Sequence, residues 1–330
     1  MRYTNIDTDN LRIKTRPKKT SRPRTKIRPK HDDAVNYTVI GVDRGRYHLT
    51  NLSDSSVPNI VAIKARELPK GSIVIGDSVA VVGDLSGKKD TLARIVKVNE
   101  RKTELMRSSD ETSREKLIVA NASTMVIVVA LANPTPRMGM IDRCLVAAYN
   151  ANMKPILCLT KSDLASPEEF MNFYTPLGIE SFVTEINENG VIGTTALEKR
   201  LENEFSVFVG HSGVGKSTLI NELIPEANRD TGHVNIVTGK GRHTSTSAVA
   251  LQLPKGGWVV DTPGVRAFGL AHLSVENVIN AFDDLSDLIQ NCPKGCKHSK
   301  DDLACELHLE TDENTQLRIE SLRRILETKE

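Results

Sequence analysis

The stretch Gly210-His211-Ser212-Gly213-Val214-Gly215-Lys216-Ser217-Thr218 decides the fold of the segment around it. The apolar run Phe205–Val209 precedes it, and apolar residues at helical spacing follow, which predicts a strand, a glycine loop and a helix. In this context G-x4-G-K-S is typical of a phosphate-binding loop, because its glycines let backbone N–H groups converge on phosphate oxygens. We expect Lys216 to reach the outer phosphates of a nucleotide and Ser217 to bind Mg²⁺.

Composition places the chain among soluble globular proteins. Its 330 residues are 39% hydrophobic and 26% charged, which suggests about two or three domains with cores of their own. The longest apolar run, Met125–Ala132, is far shorter than the roughly 18 residues of a membrane span. The N-terminal residues lack the apolar segment of a secretory signal. We therefore expect a cytoplasmic protein that does not enter membranes, and nothing in the sequence argues against a monomer.

Residues 1–34 form a basic segment without apolar periodicity. They hold eleven Lys and Arg against four Asp and Glu. Such a segment buries too little apolar surface to fold, so we predict a disordered basic arm. Positive charges clustered in this way often contact nucleic-acid phosphates, and a solubilising tail is the alternative.

Residues 35–110 consist of short runs of residues that favour β-strands, separated by Gly, Asp and Asn. The runs predict five strands, at Tyr37–Val42, Tyr47–Leu52, Ile60–Ala65, Ser78–Val82 and Leu92–Val98. Strands of this number and length fit a small β-barrel of the OB-fold type, which commonly binds oligonucleotides. Lysines and arginines on its loops could bind RNA, although scattered positive charges usually form an ordinary surface that faces solvent.

Residues 111–272 alternate strands and helices, which predicts a central α/β domain. Two apolar runs indicate strands buried on both faces of a parallel sheet, Met125–Ala132 and Pro155–Leu159. A further strand, Trp258–Val260, runs into Asp261-Thr262-Pro263-Gly264. An Asp-x-x-Gly at the end of a buried strand, about 45 residues after a phosphate loop, is typical of P-loop GTPases. There Asp261 would hold Mg²⁺, and the Gly264 N–H would face the γ-phosphate.

The segment Thr160-Lys161-Ser162-Asp163 resembles the guanine-reading motif Asn-Lys-x-Asp. The Asp163 carboxylate can accept hydrogen bonds from guanine N1–H and from its 2-amino group, which adenine does not offer in that arrangement. The Lys161 stem can cover one face of the base. Thr160 lacks the amide of Asn, so we expect somewhat relaxed affinity or base selectivity. A solvated charged turn is the alternative, although the motif occupies the carboxyl edge of a strand, where ligands of α/β proteins bind.

These motifs stand in an unusual order. The guanine reader at 160 precedes the phosphate loop at 210, the threonines at 244–246 and the Asp-x-x-Gly at 261, whereas ordinary GTPases place the guanine reader after the phosphate loop. The order is a circular permutation of the GTPase domain. The chain therefore resembles the family of circularly permuted GTPases that depend on the small ribosomal subunit, over roughly residues 35–310. The segments that match the family are Gly210–Thr218, Gly241–Thr244, Asp261–Arg266 and Cys292–Cys305.

The resemblance implies a multidomain fold: an N-terminal β-barrel (OB-fold), a central circularly permuted α/β P-loop GTPase domain, and a C-terminal α-helical zinc-binding domain over residues 273–330. It implies a GTP hydrolase that binds the small ribosomal subunit and its rRNA, assists late maturation and leaves when GDP forms. It also implies that the zinc domain helps the protein dock on the ribosome. The expected cofactors are Mg²⁺ with GTP and one structural Zn²⁺.

The zinc ligands are expected to be Cys292, Cys296, His298 and Cys305. Three thiolates and one imidazole at this spacing close a tetrahedral structural site and leave no position for a catalytic water. In a chain expected in the cytoplasm, such clustering favours a metal over disulfides. His308 is the alternative to His298.

Catalysis depends on the residues after the phosphate loop. Many GTPases place a water-orienting Gln directly after Asp-x-x-Gly, but Val265 occupies that position here and cannot hydrogen-bond to water. His243 is the best candidate for that task, and the resemblance points the same way. Thr244 is our choice for the switch threonine that senses Mg²⁺ and γ-phosphate, with Thr246 as the alternative. Thr184 is expected in the second guanine-binding loop.

Two other functions stay open on the sequence alone. One is an ATP-dependent P-loop kinase with a structural zinc, which Asp163 disfavours because that carboxylate matches guanine. The other is an RNA-binding protein with a vestigial nucleotide site, whose nucleotide turnover would not respond to small subunits.

Overall fold

The short alternating runs of the N-terminal segment fold into a closed barrel. A computed structural model of the chain describes residues 31, 33–54, 56–109, 112–188, 190–227, 248–262, 274–282 and 285–327. The barrel strands are β1 (Val35–Asp43), β2 (Arg46–Thr50), β3 (Ile60–Lys64), β4 (Ser78–Gly83) and β5 (Ala93–Val98). They follow the order β1-β2-β3-β5-β4, and β4 pairs back with β1. The five predicted strands are confirmed, and their closed barrel fits the OB-fold.

The barrel has its own core and a buried ion pair at one end. Alternate residues of each strand point inward, because side chains of a strand alternate between its faces. The buried apolar residues are Tyr37, Val39, Tyr47, Leu49, Ile60, Ala62, Ile73, Val79, Val81, Ala93 and Ile95. Arg101 Nε lies 2.6 Å from Oδ1 of the fully buried Asp77, and Arg101 Nη2 donates to the Ser72 carbonyl at 2.7 Å. These bonds fix the chain where it leaves the barrel.

The apolar runs of the next segment form a largely parallel sheet. Its strands are β8 (Thr124–Ala130), β9 (Lys154–Thr160), β10 (Glu180–Val183), β13 (Phe205–Val209), β14 (Val249–Gln252) and β15 (Trp258–Asp261). They lie in the order β10-β9-β8-β13-β15-β14, and only β14 is antiparallel to its neighbour β15. Successive β8 residues enter two cores, Met125, Ile127 and Val129 on one side and Val126, Val128 and Ala130 on the other. Burial on both faces explains the continuous apolar run.

Four helices cover the two faces of this sheet, namely α1 (Met138–Asn150), α2 (Glu168–Tyr174), α3 (Thr194–Leu201) and α4 (Lys216–Leu223). Leu145 of α1 and Tyr174 of α2 pack into the first core. Leu197 of α3 and Leu219 of α4 pack into the second. Cys144 and Cys158 are buried among these apolar residues.

The barrel and the central sheet are joined by paired strands. Gly41 of β1 lies opposite Val249 of β14, so the two sheets form one eleven-stranded sheet. Ile40 of the barrel also packs into the core that contains Ala250 and Val260. Strand β14, which follows the predicted residues His243 and Thr244 in the chain, is therefore held directly against the barrel.

Two hairpins are absent from the sequence-based prediction. One consists of β6 (Glu104–Ser109) and β7 (Thr112–Ala120), and the other of β11 (Glu185–Asn187) and β12 (Gly190–Ile192). The end of β7 is tied to the barrel, because the Ala120 N–H donates to the Ile75 carbonyl at 2.9 Å. The predicted domain boundary at residue 110 falls between β6 and β7 and stays a prediction.

The C-terminal segment is helical, as predicted. It contains α5 (Val275–Asn280), α6 (Ser286–Gln290), a 3₁₀ turn (Glu306–His308) and α7 (Glu313–Glu327). The Ser274 hydroxyl caps α5, since it accepts from the Asn277 N–H at 3.1 Å. The helices enclose a core of Val278, Phe282, Leu285, Cys305, Leu307, Ile319, Leu322, Ile325 and Leu326, which Val146 of α1 completes.

An ion pair between a buried carboxylate and a partly exposed arginine fixes α7 to α1. Arg324 Nε lies 2.7 Å from Oδ2 of Asp142, which has no exposed surface. The Tyr174 hydroxyl of α2 donates to Asp142 Oδ1 at 3.0 Å, and the Arg324 guanidinium lies 5.1 Å from the centre of the Phe173 ring. Burial raises the pKa of the Asp142 carboxyl, and the Arg324 charge acts against that shift. Three helices thus meet at one carboxylate.

Several predicted features fall on other parts of the chain. Residues 1–30 and 32 of the predicted basic arm and residues 263–273 lie outside the described residues. So does the segment 228–246, which contains the predicted catalytic and switch residues His243 and Thr244 and is called the switch segment below. Among the helices that the structure describes, none has the length and apolar character needed to cross a membrane.

Candidate functional site

The phosphate loop lies between β13, which ends at Val209, and α4, which begins at Lys216. Gly215 has a φ of +91°, in the left-handed region that favours glycine. A Cβ on Gly210 would lie 2.5 Å from the Val128 carbonyl oxygen of β8, so only glycine fits beside that strand. The chain therefore turns tightly into a helix N-terminus, where N–H groups and the helix dipole attract phosphate.

Lys216 meets the Asp-x-x-Gly segment. Its ammonium group lies 3.1 Å from Asp261 Oδ1 and donates to the Thr262 carbonyl at 2.9 Å. The Thr262 hydroxyl donates to the Phe208 carbonyl at 2.8 Å, which ties the end of β15 to β13. The residues predicted to hold the outer phosphates and Mg²⁺ therefore lie side by side.

The guanine-reading segment contacts the phosphate loop through Thr160. This residue ends β9, and its buried hydroxyl donates to the Val214 carbonyl at 2.6 Å. A Cβ on Gly215 would lie 3.6 Å from Thr160 Oγ1, so the two segments are in close contact. Although Thr160 lacks the amide of Asn, its hydroxyl supplies a direct bond between the two segments.

Lys161 connects three segments of the site. It has a φ of +62°, which is uncommon for a residue with a side chain. Its ammonium group donates to the Gly213 carbonyl at 2.8 Å and also to the Asn133 carbonyl. The end of β9, the phosphate loop and the loop after β8 are joined by this one side chain.

The rest of the guanine-reading segment faces the hairpin β11–β12. Asp163 is exposed, and its Oδ1 accepts from the Ile186 N–H at 3.3 Å. The Ser162 hydroxyl donates to Glu185 Oε2 at 3.1 Å. Thr184 is buried, and its carbonyl accepts from the Ser162 N–H at 3.2 Å. The two loops predicted to contact guanine therefore lie together, and Thr184 joins them through its backbone.

A cavity of about 410 Å³ opens beside the phosphate loop, and it is lined by Pro134, Thr135, Arg137, His211 and Ser212. Burial, and then the charge of Arg137, lower the pKa of His211, which favours a neutral imidazole at pH 7. The sequence-based prediction did not include Asn133 or Arg137. Both follow β8 at the carboxyl edge of a parallel sheet, where ligands of α/β proteins bind, and that position is the signal for them.

The four predicted zinc ligands converge near the C-terminus, namely Cys292, Cys296, His298 and Cys305. Their ligand atoms all lie within 4.8 Å of one another. The Sγ atoms of Cys292 and Cys305 are 3.9 Å apart. His298 Nδ1 lies 3.5 Å from Cys296 Sγ and 3.8 Å from Cys305 Sγ. A Zn–S bond of about 2.3 Å gives a tetrahedral edge of about 3.8 Å, so the four atoms fit one Zn²⁺.

His298 rather than His308 belongs to this cluster. His298 is buried, and its carbonyl accepts from Arg323 Nε at 3.3 Å. His308 Nδ1 instead lies 3.4 Å from Arg323 Nη2, outside the group of ligand atoms. Cys305 is part of the C-terminal hydrophobic core. A metal bound here would tie the cysteine loop to that core.

Three predicted site residues, His243, Thr244 and Gly264, lie outside the described residues, as do Thr246 and Val265. Their roles stay predictions. The described phosphate-loop and guanine-loop residues meet at the carboxyl edge of the central sheet, and the zinc ligands form a separate cluster.

Related proteins match most of the chain. The family model described as RsgA GTPase matches residues 98–271. "Small ribosomal subunit biogenesis GTPase RsgA" of Pseudomonas syringae pv. syringae is 37% identical over 264 residues, which cover 77% of this chain and 74% of that protein. "Small ribosomal subunit biogenesis GTPase RsgA 1" of Vibrio parahaemolyticus is 36% identical over 268 residues, which cover 78% of this chain and 74% of that protein.

Two solved structures share the fold. YjeQ from Thermotoga maritima has a TM-score of 0.65 at 22% identity, with 89% of this chain and 99% of that chain covered. YloQ, described as a circularly permuted GTPase, has a TM-score of 0.63 at 22% identity, with 92% of this chain and 99% of that chain covered. The family model and the 37% identity to RsgA over most of both chains agree with the permuted order of the motifs. The chain belongs to the RsgA GTPase family.

Proposed function

We propose that this chain is a GTP hydrolase that acts in the biogenesis of the small ribosomal subunit. One observation carries the proposal: the phosphate loop contacts both the guanine-reading segment, through Thr160 and Val214, and the Asp-x-x-Gly segment, through Lys216 and Asp261. The residues predicted to bind guanine, phosphate and Mg²⁺ thus lie together in spite of the permuted chain order, which supports the proposal. The names of the related proteins support the role in small-subunit biogenesis.

The phosphate loop Gly210–Thr218 would surround the phosphates of GTP with backbone N–H groups. Lys216 would place its ammonium group on the β- and γ-phosphates, and the Gly264 N–H would face the γ-phosphate. The oxygens of Ser217 and Asp261 suit Mg²⁺, which would neutralise charge on the phosphates when bound there.

Guanine would bind at the carboxyl end of β9. The exposed carboxylate of Asp163 can accept from N1–H and the 2-amino group, and Lys161 would cover the base ring. Thr160 would act through the phosphate loop rather than on the base, since its hydroxyl is already bonded to Val214. Ser162 and Thr184 would position the loop through the hydrogen bond between their backbones.

Hydrolysis would require residues of the switch segment. A water molecule attacks the γ-phosphorus while the bond to the β–γ bridging oxygen breaks, which yields GDP and phosphate. His243 would orient that water by hydrogen bonding, because Val265 cannot. Thr244 would order the segment on Mg²⁺ and the γ-phosphate. Turnover by the chain alone should be slow, because His243 needs the small subunit to order it.

The rRNA of the small subunit would bind the basic arm (1–34), the barrel (35–110) and the zinc domain (273–330), with the GTPase domain (111–272) between them. Binding would order the switch segment, and formation of GDP would release the protein. Zn²⁺ would be structural, because the four ligands close its coordination. We propose a cytoplasmic monomer.

Nucleotide binding and subunit binding test this proposal separately. Calorimetry should show GTP bound at least about tenfold more tightly than ATP, as expected for a site that hydrogen-bonds guanine. ATP bound as tightly as GTP would contradict the guanine site and favour a kinase. Co-sedimentation with purified small subunits should be stronger with a non-hydrolysable GTP analogue than with GDP. Equal sedimentation in both states would contradict release on hydrolysis.

A further inference from the structure

A cleft of about 950 Å³ lies between α1, β9 and the C-terminal helices. This volume is at the upper end of the range of about 300–1,000 Å³ for ligand clefts. Its walls come from the end of α1, the start of β9, the turn after α2, the end of α5 and the first turns of α7. The polar and aromatic residues that the argument uses are Tyr149, Asn152, Lys154, Asn280, Asn314 and Arg318.

The cleft is separate from the nucleotide site. β8, β9 and β13 run parallel, and the phosphate loop and Thr160 lie at their carboxyl ends. Lys154 is the first residue of β9, so the cleft lies at the amino ends of the same strands. The seven residues of β9 separate the two sites by about 20 Å at roughly 3.3 Å per residue.

The charge of the cleft favours an anion. Lys154 is exposed, and Arg318 contributes a second positive charge. In the part of the chain that the structure describes, no Asp or Glu lines the cleft. Asp312 precedes α7 nearby, but its carboxylate accepts from the Thr315 N–H at 2.8 Å and from the Thr315 hydroxyl at 2.9 Å. Glu313 in the first turn of α7 lies outside the lining, and its negative charge offsets the partial positive charge of that helix N-terminus.

Arg318 is held in a geometry that suits phosphate. Its guanidinium carbon lies 4.5 Å from the centre of the Phe282 ring and 6.0 Å from that of Tyr149. A guanidinium packed on an aromatic face keeps its plane fixed, and its positive charge attracts phosphate oxygens. Asn152, Asn280 and Asn314 add amide groups of the kind that contact sugar and phosphate.

We propose that this cleft binds the phosphate backbone of an RNA segment of the small ribosomal subunit. The identity of the partner rests on the proposed function. The new element is the binding surface, which helix α1, strand β9 and the C-terminal helices form together. A bound RNA backbone would contact α1 and α7 at once and hold them in one orientation.

The test is the binding of purified small subunits by the full chain at a series of KCl concentrations. Lys154→Gln removes one charge from an exposed side chain without disturbing the packing of Arg318 on Phe282. Its affinity should fall roughly three- to tenfold near 0.1 M KCl, and the slope of log K against log salt should decrease by about one. Lys154→Arg should keep wild-type affinity and slope.

Lys255→Gln is the control for the loss of one positive charge, because Lys255 lies in the turn before β15, at the same end of the sheet but outside the cleft, where its ammonium group pairs with Glu198 at 2.9 Å. It should bind small subunits as the wild type does, and GTP affinity should be unchanged in all three variants. If Lys154→Gln bound small subunits with wild-type affinity, or if Lys255→Gln lost as much affinity, the proposal that the cleft binds RNA would be overturned. The proposed function would not be affected. If Lys154→Gln lowered the affinity for small subunits but left the slope of log K against log salt unchanged, the partner of the cleft would be a protein and not RNA. Failure of the wild-type chain to bind small subunits would overturn the proposed function itself.

Discussion

The hydroxyl of Thr160 donates to the carbonyl of Val214 across 2.6 Å, and this bond joins the guanine-reading strand to the phosphate loop. Thr160 is 5% exposed and Val214 3%, so water cannot easily replace the bond. Lys161 adds a second link to the same loop at the Gly213 carbonyl, 2.8 Å away. The segments predicted to recognise base and phosphate are therefore directly bonded to each other, and Thr160 contacts the loop.

Thr160→Val should weaken the binding of GTP and GDP by roughly three- to tenfold. Valine keeps the shape of threonine but leaves the buried Val214 carbonyl without its hydroxyl donor, and a lost hydrogen bond of this kind costs about 0.5–1.5 kcal/mol. Calorimetry measures the effect. Thr160→Ser keeps the hydroxyl and should retain most of the affinity. Wild-type affinity in the valine variant would show that the bond does not support nucleotide binding.

Asp163→Asn should change base preference from guanine to xanthine. Xanthine carries a carbonyl where guanine carries its 2-amino group, so an amide can donate where the carboxylate accepted. Loss of charge-assisted hydrogen bonds should weaken GTP binding by about 100-fold. Competition between GTP and XTP measures the preference. Ser162→Ala, in the same loop, should leave it unchanged, and a preference for GTP in Asp163→Asn would remove Asp163 from base recognition.

Cys305→Ser should lower bound zinc well below one ion per chain. The substitution removes one of three thiolates from a cluster whose ligand atoms lie within 4.8 Å, and it also disturbs the core that contains Cys305. The melting temperature should fall by at least about 5 °C, because bound metal contributes to folding. Elemental analysis and thermal unfolding measure both effects. Cys144→Ala, in α1, should keep one zinc, and a full complement of zinc in Cys305→Ser would contradict the ligand set.

Arg324→Met should destabilise the chain by about 3–5 kcal/mol, because it leaves the buried Asp142 carboxylate without its cation. Urea unfolding measures the loss. The double variant Asp142→Asn/Arg324→Met removes the charge as well and should recover most of the stability. If the single variant lost less than about 1 kcal/mol, the ion pair would not be what holds α7 on α1.

Local pattern and motif order predicted much of this fold. Period-two runs marked the five barrel strands, and the apolar run at Met125–Ala132 marked β8 because both faces of that strand are buried. The hairpin β6–β7 was not predicted, because its sequence contains several charged residues and shows little alternation of apolar and polar residues. Its strands are Glu104–Ser109 and Thr112–Ala120. The pairing of Gly41 with Val249 also escaped, since partners that far apart in the chain leave no local signal.

The sequence likewise predicted some features of the candidate site and not others. The glycines and Lys216 of the phosphate loop follow from a motif with strict spacing, and the cysteine cluster follows from its spacing too. The bond from Thr160 to Val214 and the one from Lys161 to Asn133 depend on how loops from different strands meet at one sheet edge. Asp142 and Arg324 are ordinary charges in the sequence, and only the packing of α7 on α1 makes them an ion pair.

Hydrolysis of GTP with and without purified small ribosomal subunits is the most direct measure of a subunit-dependent GTPase activity. The chain alone should hydrolyse GTP slowly because Val265 cannot orient water, and added small subunits should raise the rate by about 100-fold or more. His243→Ala should bind GTP normally and lose the stimulation, and Lys216→Ala should show no turnover above the subunits alone. A rate that small subunits leave unchanged would contradict the account.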